Sequence, residues 1–73
     1  MIGRKRLPIT NRVAEFRERH GNMSQAALAA AVGVSRQTMV AIEKGHYSPS
    51  LESAFRIARL FGIGVDDMFG WDE

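Results

Sequence analysis

Two long polar side chains, Arg36 and Gln37, follow Ser35 directly and come shortly after Gly33. Serine is a preferred helix cap, so both side chains are expected in the exposed first turn of a helix. Arginine can pair bidentately with guanine, and glutamine with adenine, on the base edges that line the major groove of DNA. The pair therefore predicts a helix that reads DNA, although Arg-Gln alone is more often a solvated helix surface.

Short helices must position these side chains. Capping residues and glycines bound five segments with helical apolar spacing, spanning roughly 11–20, 25–31, 36–44, 51–61 and 65–69. The proposed caps are Thr10 or Asn11, then Ser24, Ser35, Ser50 and Gly64. The residues expected to face inward are, in chain order, Val13, Phe16, Leu28, Val32, Met39, Ile42, Leu51, Phe55, Ala58, Phe61, Val65, Met68 and Phe69. No stretch alternates with period two for more than a few residues, so the sequence predicts a compact all-α fold.

The second and third helices form the informative unit, approximately residues 24–44. Gly33 can adopt the left-handed conformation that ends a helix and turns the chain sharply. A turn this short makes the two helices cross steeply, and the alanines of the second helix allow a close approach. The third helix then protrudes with its first residues exposed, which is typical of a helix-turn-helix.

The length and the charge distribution limit the number of domains and indicate the kind of partner. A chain of 73 residues holds one domain, here a basic arm over 1–9 and a folded unit over 10–73. The net charge is only +2, but residues 1–20 carry +4 and residues 51–73 carry −3. Such asymmetry suits a protein with one face toward a polyanion, and chance asymmetry explains it equally well. The absence of Cys, of a signal peptide and of a long apolar run favours the cytoplasm over secretion or a membrane.

Catalysis and metal binding are disfavoured. His20 and His46 stand alone, far from any carboxylate cluster, and the capping serines lack a His–acid partner arrangement. Asp66 and Asp67 suit the first turn of the last helix through its dipole. The sequence therefore predicts no enzyme, no metal, no cofactor and no small-molecule ligand.

A longer pattern resembles a known family. It runs Met23-Ser24-Gln25, Leu28-Ala29, Val32 to Thr38, Ile42 to Gly45, Pro49 to Glu52, Ile57-Ala58 and Phe61 to Ile63. In this register, residues 12–69 resemble the Xre/Cro-type helix-turn-helix regulators, which are phage lambda repressor-like. Ser-Arg-Gln-Thr, Pro-Ser-Leu-Glu and the terminal Phe-x-Trp are similar to a minimal subgroup whose members are DNA-binding domains standing alone.

The resemblance implies roles for single residues. Gln25 would bind a backbone phosphate, while Arg36 and Gln37 would read bases. The other expected DNA contacts are Ser35, Thr38 to a phosphate or base, Val40 and Ala41 to a thymine methyl, and Lys44, His46 and Tyr47 of the following loop to the backbone. Arg17 and Glu43 would form a partly buried structural ion pair. One extra residue, Asn22, precedes Met23 relative to the usual spacing, and it makes Arg17 rather than Glu18 the matching position.

The end of the chain carries an apolar cluster, which the resemblance assigns to a two-fold homodimer interface: Leu60, Val65, Met68, Phe69 and Trp71. The alternative is that Trp71 folds back on the core. A short β pairing between Leu7-Pro8-Ile9 and Phe69-Gly70-Trp71 is also open, although Pro8 lacks one donor. Arg4, Lys5 and Arg6 are either a DNA-contacting arm or a tail.

These expectations combine into one function. They predict a homodimeric regulator of transcription, a repressor rather than an activator, that binds a palindromic operator in double-stranded DNA. One alternative is an antitoxin that represses its own operon, disfavoured because the chain ends soon after the last helix. The other is a protein–protein adaptor without DNA binding, which the presence of Gln25, Arg36 and the basic front disfavours.

Overall fold

Five helices and two strands follow one another along residues 7–72, the part of the chain that the structure, a computed structural model, describes. They are β1 (Ile9–Asn11), α1 (Val13–Arg19), α2 (Gln25–Val32), α3 (Arg36–Glu43), α4 (Leu51–Leu60), α5 (Val65–Met68) and β2 (Phe69–Trp71). The predicted mostly helical, five-helix fold is confirmed, with one small sheet added. Arg4, Lys5 and Arg6 of the predicted arm lie outside the described residues.

The three serine caps form as predicted. The Oγ atoms of Ser24, Ser35 and Ser50 accept hydrogen bonds from the backbone N–H groups of Ala27, Thr38 and Ser53, at 2.9, 3.0 and 3.1 Å. Each bond satisfies a donor that the first helical turn leaves without a partner. The sequence therefore sets the starts of α2, α3 and α4 locally.

The start of α1 differs from the prediction. The helix begins at Val13 rather than near residue 11, and neither Thr10 nor Asn11 is its cap residue. Asn11 belongs to β1, and its Oδ1 accepts a hydrogen bond from the backbone N–H of Val13 at 3.0 Å. Thr10 and Asn11, the two proposed caps of the first helix, therefore belong to β1 instead.

The two strands pair antiparallel, with Ile9 opposite Trp71, Thr10 opposite Gly70 and Asn11 opposite Phe69. The C-terminal partner is the predicted one, but the N-terminal strand is shifted by two residues from Leu7-Pro8-Ile9. The shift leaves Pro8 outside the ladder, where its missing N–H costs nothing. Its carbonyl still accepts a hydrogen bond from the N–H of Asp72 at 2.6 Å.

All helices contribute to one core. Its buried apolar residues are Val13, Phe16, Leu28, Ala29, Val32, Met39, Ile42, Ala54, Ile57, Ala58, Phe61 and Met68. The prediction for α4 was wrong at two positions, because Leu51 and Phe55 are exposed while Ala54 and Ile57 face inward. Alanine on this face lets α4 approach α2, against which it packs.

Candidate nucleic-acid interface

A tight turn orients α3 against α2. Gly33 has φ +81°, a left-handed conformation that costs a residue with a Cβ about 1–2 kcal/mol. The backbone N–H of Val34 then reaches back to the carbonyl of Ala29 at 3.0 Å, which closes the end of α2. Ser35 caps the next helix immediately, so the turn between α2 and α3 comprises only Gly33, Val34 and Ser35.

The face of α3 opposite its buried residues is polar and narrow. Met39 and Ile42 face the core. At 3.6 residues per turn, the opposite side is centred on Gln37 and carries Ala41 and Lys44. Arg36 stands at the edge of this face; Arg36, Gln37 and Lys44 are exposed, while Val40 and Ala41 are half-buried. We call Arg36, Gln37, Val40, Ala41 and Lys44 the outer face of α3.

The hydroxyl groups of Ser35 and Thr38 are coupled. The Ser35 hydroxyl accepts from the N–H of Thr38 and donates to Thr38 Oγ1 at 2.9 Å. Its only hydrogen is therefore used inside the helix, whereas the hydrogen of the Thr38 hydroxyl remains available to another acceptor. This geometry gives Ser35 a structural role as the cap of α3, and a contact of its hydroxyl with DNA stays a prediction.

Arg17, Glu43 and Gln25 form a network between α1, α3 and the start of α2. Arg17 donates from Nε and Nη2 to the two carboxylate oxygens of Glu43 at 2.7 and 2.9 Å, and from Nη1 to the carbonyl of Met23 at 2.8 Å. Gln25 donates from Nε2 to Glu43 Oε1 at 3.0 Å. A carboxylate can only accept, so this bond fixes which end of the Gln25 amide faces inward.

The ion pair that the resemblance implies is therefore present, and it is largely removed from solvent. The side chains of Arg17 and Glu43 are 16% and 9% exposed. The hydrogen bond to Glu43, together with its negative charge, raises the pKa of Arg17 above its usual value although burial opposes this. Because the pKa of Arg17 is higher in the folded protein than in the unfolded chain, the charged guanidinium stabilises the fold at every pH below the unfolded-state pKa. The neutral range lies below that pKa, so Arg17 is charged throughout it.

The loop before α2 accommodates Asn22, the extra residue relative to the usual family spacing. Gly21 and Asn22 have φ values of +72° and +56°, and asparagine tolerates this left-handed region better than most residues. The N–H of Met23 then bonds the carbonyl of Arg17 at 3.0 Å. Two consecutive left-handed residues thus bring the chain back into register, with Arg17 facing Glu43.

The small sheet braces the far end of α3, a role that the sequence does not reveal. Asn11 in β1 donates from Nδ2 to the carbonyl of Ile42 at 3.0 Å, and the N–H of Leu7 bonds the carbonyl of Gly45 at 2.8 Å. Ile42 is in the last turn of α3, and Gly45 lies two residues beyond its end, while Leu7 lies two residues before β1. The signal available in the sequence was a single asparagine, which is more commonly a cap.

Positive charge without a neighbouring carboxylate concentrates on α3. Within residues 7–72, Arg12 and Arg19 both lie against Glu15, Arg17 against Glu43, and Arg56 against Glu52. The cations of this range with no ion pair to another described residue are Arg36, Lys44 and Arg59, two of which lie on the outer face of α3. The loop residues His46 and Tyr47 beside Lys44 are also exposed.

Comparison with known families identifies the chain. The family model described as helix-turn-helix matches residues 13–68, which run from the first residue of α1 to the last residue of α5. The chain belongs to the helix-turn-helix family. It is an Xre/Cro-like DNA-binding regulator of transcription.

Relatives of this helix-turn-helix protein occur in archaea and bacteria. An uncharacterized HTH-type transcriptional regulator of Methanocaldococcus jannaschii is 48% identical over 63 residues, 86% of this chain and 94% of its own. The uncharacterized HTH-type transcriptional regulator YgzD of Bacillus subtilis has the same identity and coverage. The cryptic phage CTXphi transcriptional repressor RstR of Vibrio cholerae is 32% identical over 52 residues, 71% of this chain and 47% of its own.

The C-terminal cluster of this helix-turn-helix protein is split between core and surface. Met68 is 1% exposed, so it belongs to the core and offers no area to a partner, contrary to the sequence-based expectation. Val65 and Phe69 are half-buried against the same core. Trp71 remains 68% exposed on β2, beside an open hollow of about 220 Å³ lined by Leu7, Pro8, Ile9 and Ser48. Leu60 is 38% exposed on α4.

Two further observations concern ligands and membranes. Within the described part of the chain, no three His, Cys, Asp or Glu side chains lie close enough together to hold a metal ion. Among residues 7–72, no helix combines the length and the apolar character that crossing a bilayer requires.

Proposed function

We propose that the protein is a homodimeric repressor that inserts α3 of each subunit into the major groove of a palindromic operator. The observation that carries the proposal is the outer face of α3, where Gln37 is exposed and the exposed cations Arg36 and Lys44 are left without an ion pair by residues 7–72. Most other cations of this range are neutralised locally. A protruding polar helix with unneutralised positive charge suits a groove lined by acceptors and flanked by phosphates.

The base-reading roles follow from chemistry and position. Arg36 and Gln37 occupy the first two positions of α3, the end of a recognition helix that meets base edges in helix-turn-helix proteins. The half-buried Val40 and Ala41 follow on the same face. Their short apolar side chains let the helix approach the groove floor and suit contact with a thymine methyl.

The phosphate-binding roles fall at either side of α3. Gln25 is the first residue of α2, where free backbone N–H groups and the helix dipole favour an anion. Its Nε2 has a second hydrogen beyond the bond to Glu43, and this hydrogen is available to a phosphate oxygen. Thr38 contributes a hydroxyl, and Lys44, His46 and Tyr47 line the exposed loop after α3.

Symmetry accounts for the operator and for repression. Two recognition helices related by a two-fold axis would enter successive major grooves about 34–36 Å apart and would read an inverted repeat. A dimer seated there excludes other proteins from the same DNA. The relative named as a phage transcriptional repressor supports repression over activation. We also propose a cytoplasmic location, because chromosomal or phage DNA is the ligand.

The test is selection of bound duplexes from a random pool at two salt concentrations, with the full chain. Enrichment of an inverted repeat at both concentrations is expected, together with affinity that falls steeply as salt rises. Binding that fades with salt and enriches no sequence would replace the proposal with a non-specific DNA binder. Absence of binding at the lower salt concentration would overturn it in favour of a protein–protein adaptor.

A further inference from the structure

Leu51 and Phe55 form an exposed apolar stripe on α4. They are 73% and 49% exposed, and residues four apart lie next to each other on one side of a helix. The core takes its α4 residues from a neighbouring face, at Ala54, Ile57 and Ala58. Contiguous exposed apolar side chains rimmed by polar residues are typical of an interaction surface.

Opposite charges border the stripe on one side. Glu52 and Arg56 follow Leu51 and Phe55 by one position each, and they form an ion pair at 2.6 Å. If two copies of α4 lie antiparallel across a two-fold axis, Glu52 of each copy faces Arg56 of the other. The stripe is therefore complementary to itself in both polarity and charge, as a two-fold interface requires.

We propose that the Leu51–Phe55 stripe is the surface through which a second copy of this chain binds, with the Glu52 and Arg56 pairs at its edge. The proposal rests on the proposed homodimer and assigns its contact surface. It moves that surface from the C-terminal cluster to α4.

The C-terminal cluster is a weaker candidate because its members do not form one surface. Leu60 follows Leu51 by about two and a half helical turns and so lies on the opposite side of α4. Met68 is core, and Trp71 lies beside Leu7 and Pro8.

The place of the stripe in the fold suits two-fold binding to DNA. Half-site centres about 34 Å apart put each recognition helix about 17 Å from the dimer axis. Only the loop 44–50 separates the end of α3 from Leu51, the first residue of α4. A two-fold axis that passes through the stripe therefore places the recognition helices of both subunits close to that axis.

The first experiment compares Phe55→Glu with Leu60→Glu by sedimentation equilibrium over a range of protein concentrations. Both variants place the same charge at an exposed position of the same helix, on opposite sides. Phe55→Glu should raise the dimer dissociation constant by at least about tenfold, because a glutamate would be buried where an aromatic side chain anchors the interface. Leu60→Glu should leave the constant unchanged, and both variants should keep the helical circular dichroism of the parent protein.

A charge exchange supplies a second measurement that misfolding cannot imitate. Glu52→Arg alone sets arginine against arginine across the axis, and Arg56→Glu alone sets glutamate against glutamate, so each variant should self-associate less than the parent. Mixed together, the two variants restore both opposite-charge contacts and should form heterodimers in preference to either homodimer. If each separate variant self-associated as strongly as the parent and the mixture showed no preference for heterodimers, the antiparallel arrangement would be contradicted.

The outcomes separate the interface from the function. Loss of the dimer in Leu60→Glu but not in Phe55→Glu would overturn the stripe and return the interface to the C-terminal cluster. A parent protein that stays monomeric in solution and binds the operator as a single copy would overturn the dimer itself. Phe55→Glu should still bind a duplex carrying one half-site with the affinity of the parent, and this arm tests DNA recognition without dimerisation.

Discussion

The guanidinium of Arg17 and the carboxylate of Glu43 face each other in a bidentate pair, with Nε–Oε2 and Nη2–Oε1 distances of 2.7 and 2.9 Å. The pair joins α1 to the last residue of α3, and Glu43 Oε1 also holds the amide of Gln25 at the start of α2. One carboxylate thus fixes the end of α3, the proposed recognition helix, together with Gln25, the proposed phosphate contact. Positioning of the proposed DNA-binding face and stability of the fold are coupled at this residue.

Glu43→Leu should destabilise the protein by about 3 kcal/mol, because it leaves the charge of Arg17 largely buried without a partner. For a domain of this size, the thermal midpoint should fall by about 12 °C or more. Thermal unfolding followed by circular dichroism at a fixed protein concentration measures the change. The double variant Arg17→Met/Glu43→Leu is the control, and it should recover most of the loss because no unpaired charge remains. A single variant as stable as the parent would show that the pair contributes nothing.

Ser35→Ala should reduce stability by about 1 kcal/mol while leaving sequence preference unchanged. The Ser35 hydroxyl caps α3 and lies 2.9 Å from Thr38 Oγ1, so its loss should weaken the start of the helix. Urea unfolding gives the stability, and selection from a random duplex pool gives the preference. A changed base preference would assign Ser35 to a base, and a loss of affinity for every duplex by the folded variant would assign it to a phosphate.

Local signals in the sequence predict most of the fold. Ser24, Ser35 and Ser50 set three helix starts, and Gly33 sets the turn, because these effects depend on a few neighbouring residues. The start of α1 was missed because Asn11 pairs with Phe69, a partner that lies 58 residues away and that local helix signals cannot reveal. Distant pairing overrides local propensity in this case.

The face of α4 shows a second limit of sequence reasoning. Leu51, Phe55 and Ala58 have helical spacing, and so do Ala54, Ile57, Ala58 and Phe61. Hydrophobicity favoured the stripe with the larger side chains, but packing against α2 favoured the one with alanines. The proposed dimer gives both stripes a partner, which explains why the sequence carries two apolar patterns on one helix. Among the proposed site residues, exposure on α3 followed from its capping and its period, whereas the bracing by Asn11 did not.

Gln25→Ala should weaken binding to all duplexes by a similar factor, about 1 kcal/mol or roughly fivefold. The amide is neutral and would contact a phosphate, which is the same at every sequence. Titration of the operator and of an unrelated duplex at one salt concentration measures both factors. Gln25→Glu is the companion variant, and it should bind more weakly still because a negative charge would face both Glu43 and the phosphate. A loss confined to the operator would assign Gln25 to a base.

Lys44→Ala should also weaken binding to all duplexes, but it should change the salt dependence as well. A lysine that neutralises one phosphate contributes about one unit to the slope of log affinity against log salt concentration. The slope for Lys44→Ala should therefore be shallower by about one unit, whereas that for Gln25→Ala should match the parent. An unchanged slope would place Lys44 away from the DNA backbone.

Arg36→Ala should cost about 1–3 kcal/mol on the operator and relax the preference at one base pair of each half-site. Arg36 stands in the first turn of α3, and no carboxylate within residues 7–72 pairs with it, so its donors are available to a guanine. Arg19→Ala is the matched control, because it removes the same charge from α1, where Arg19 contacts the carboxylate of Glu15 and the ring of Phe16. Affinity for operators with each base pair substituted in turn distinguishes the two variants. If Arg36→Ala lowered affinity equally for every substituted operator, Arg36 would bind a phosphate, and the base-reading end of α3 would have to be Gln37 and Ala41.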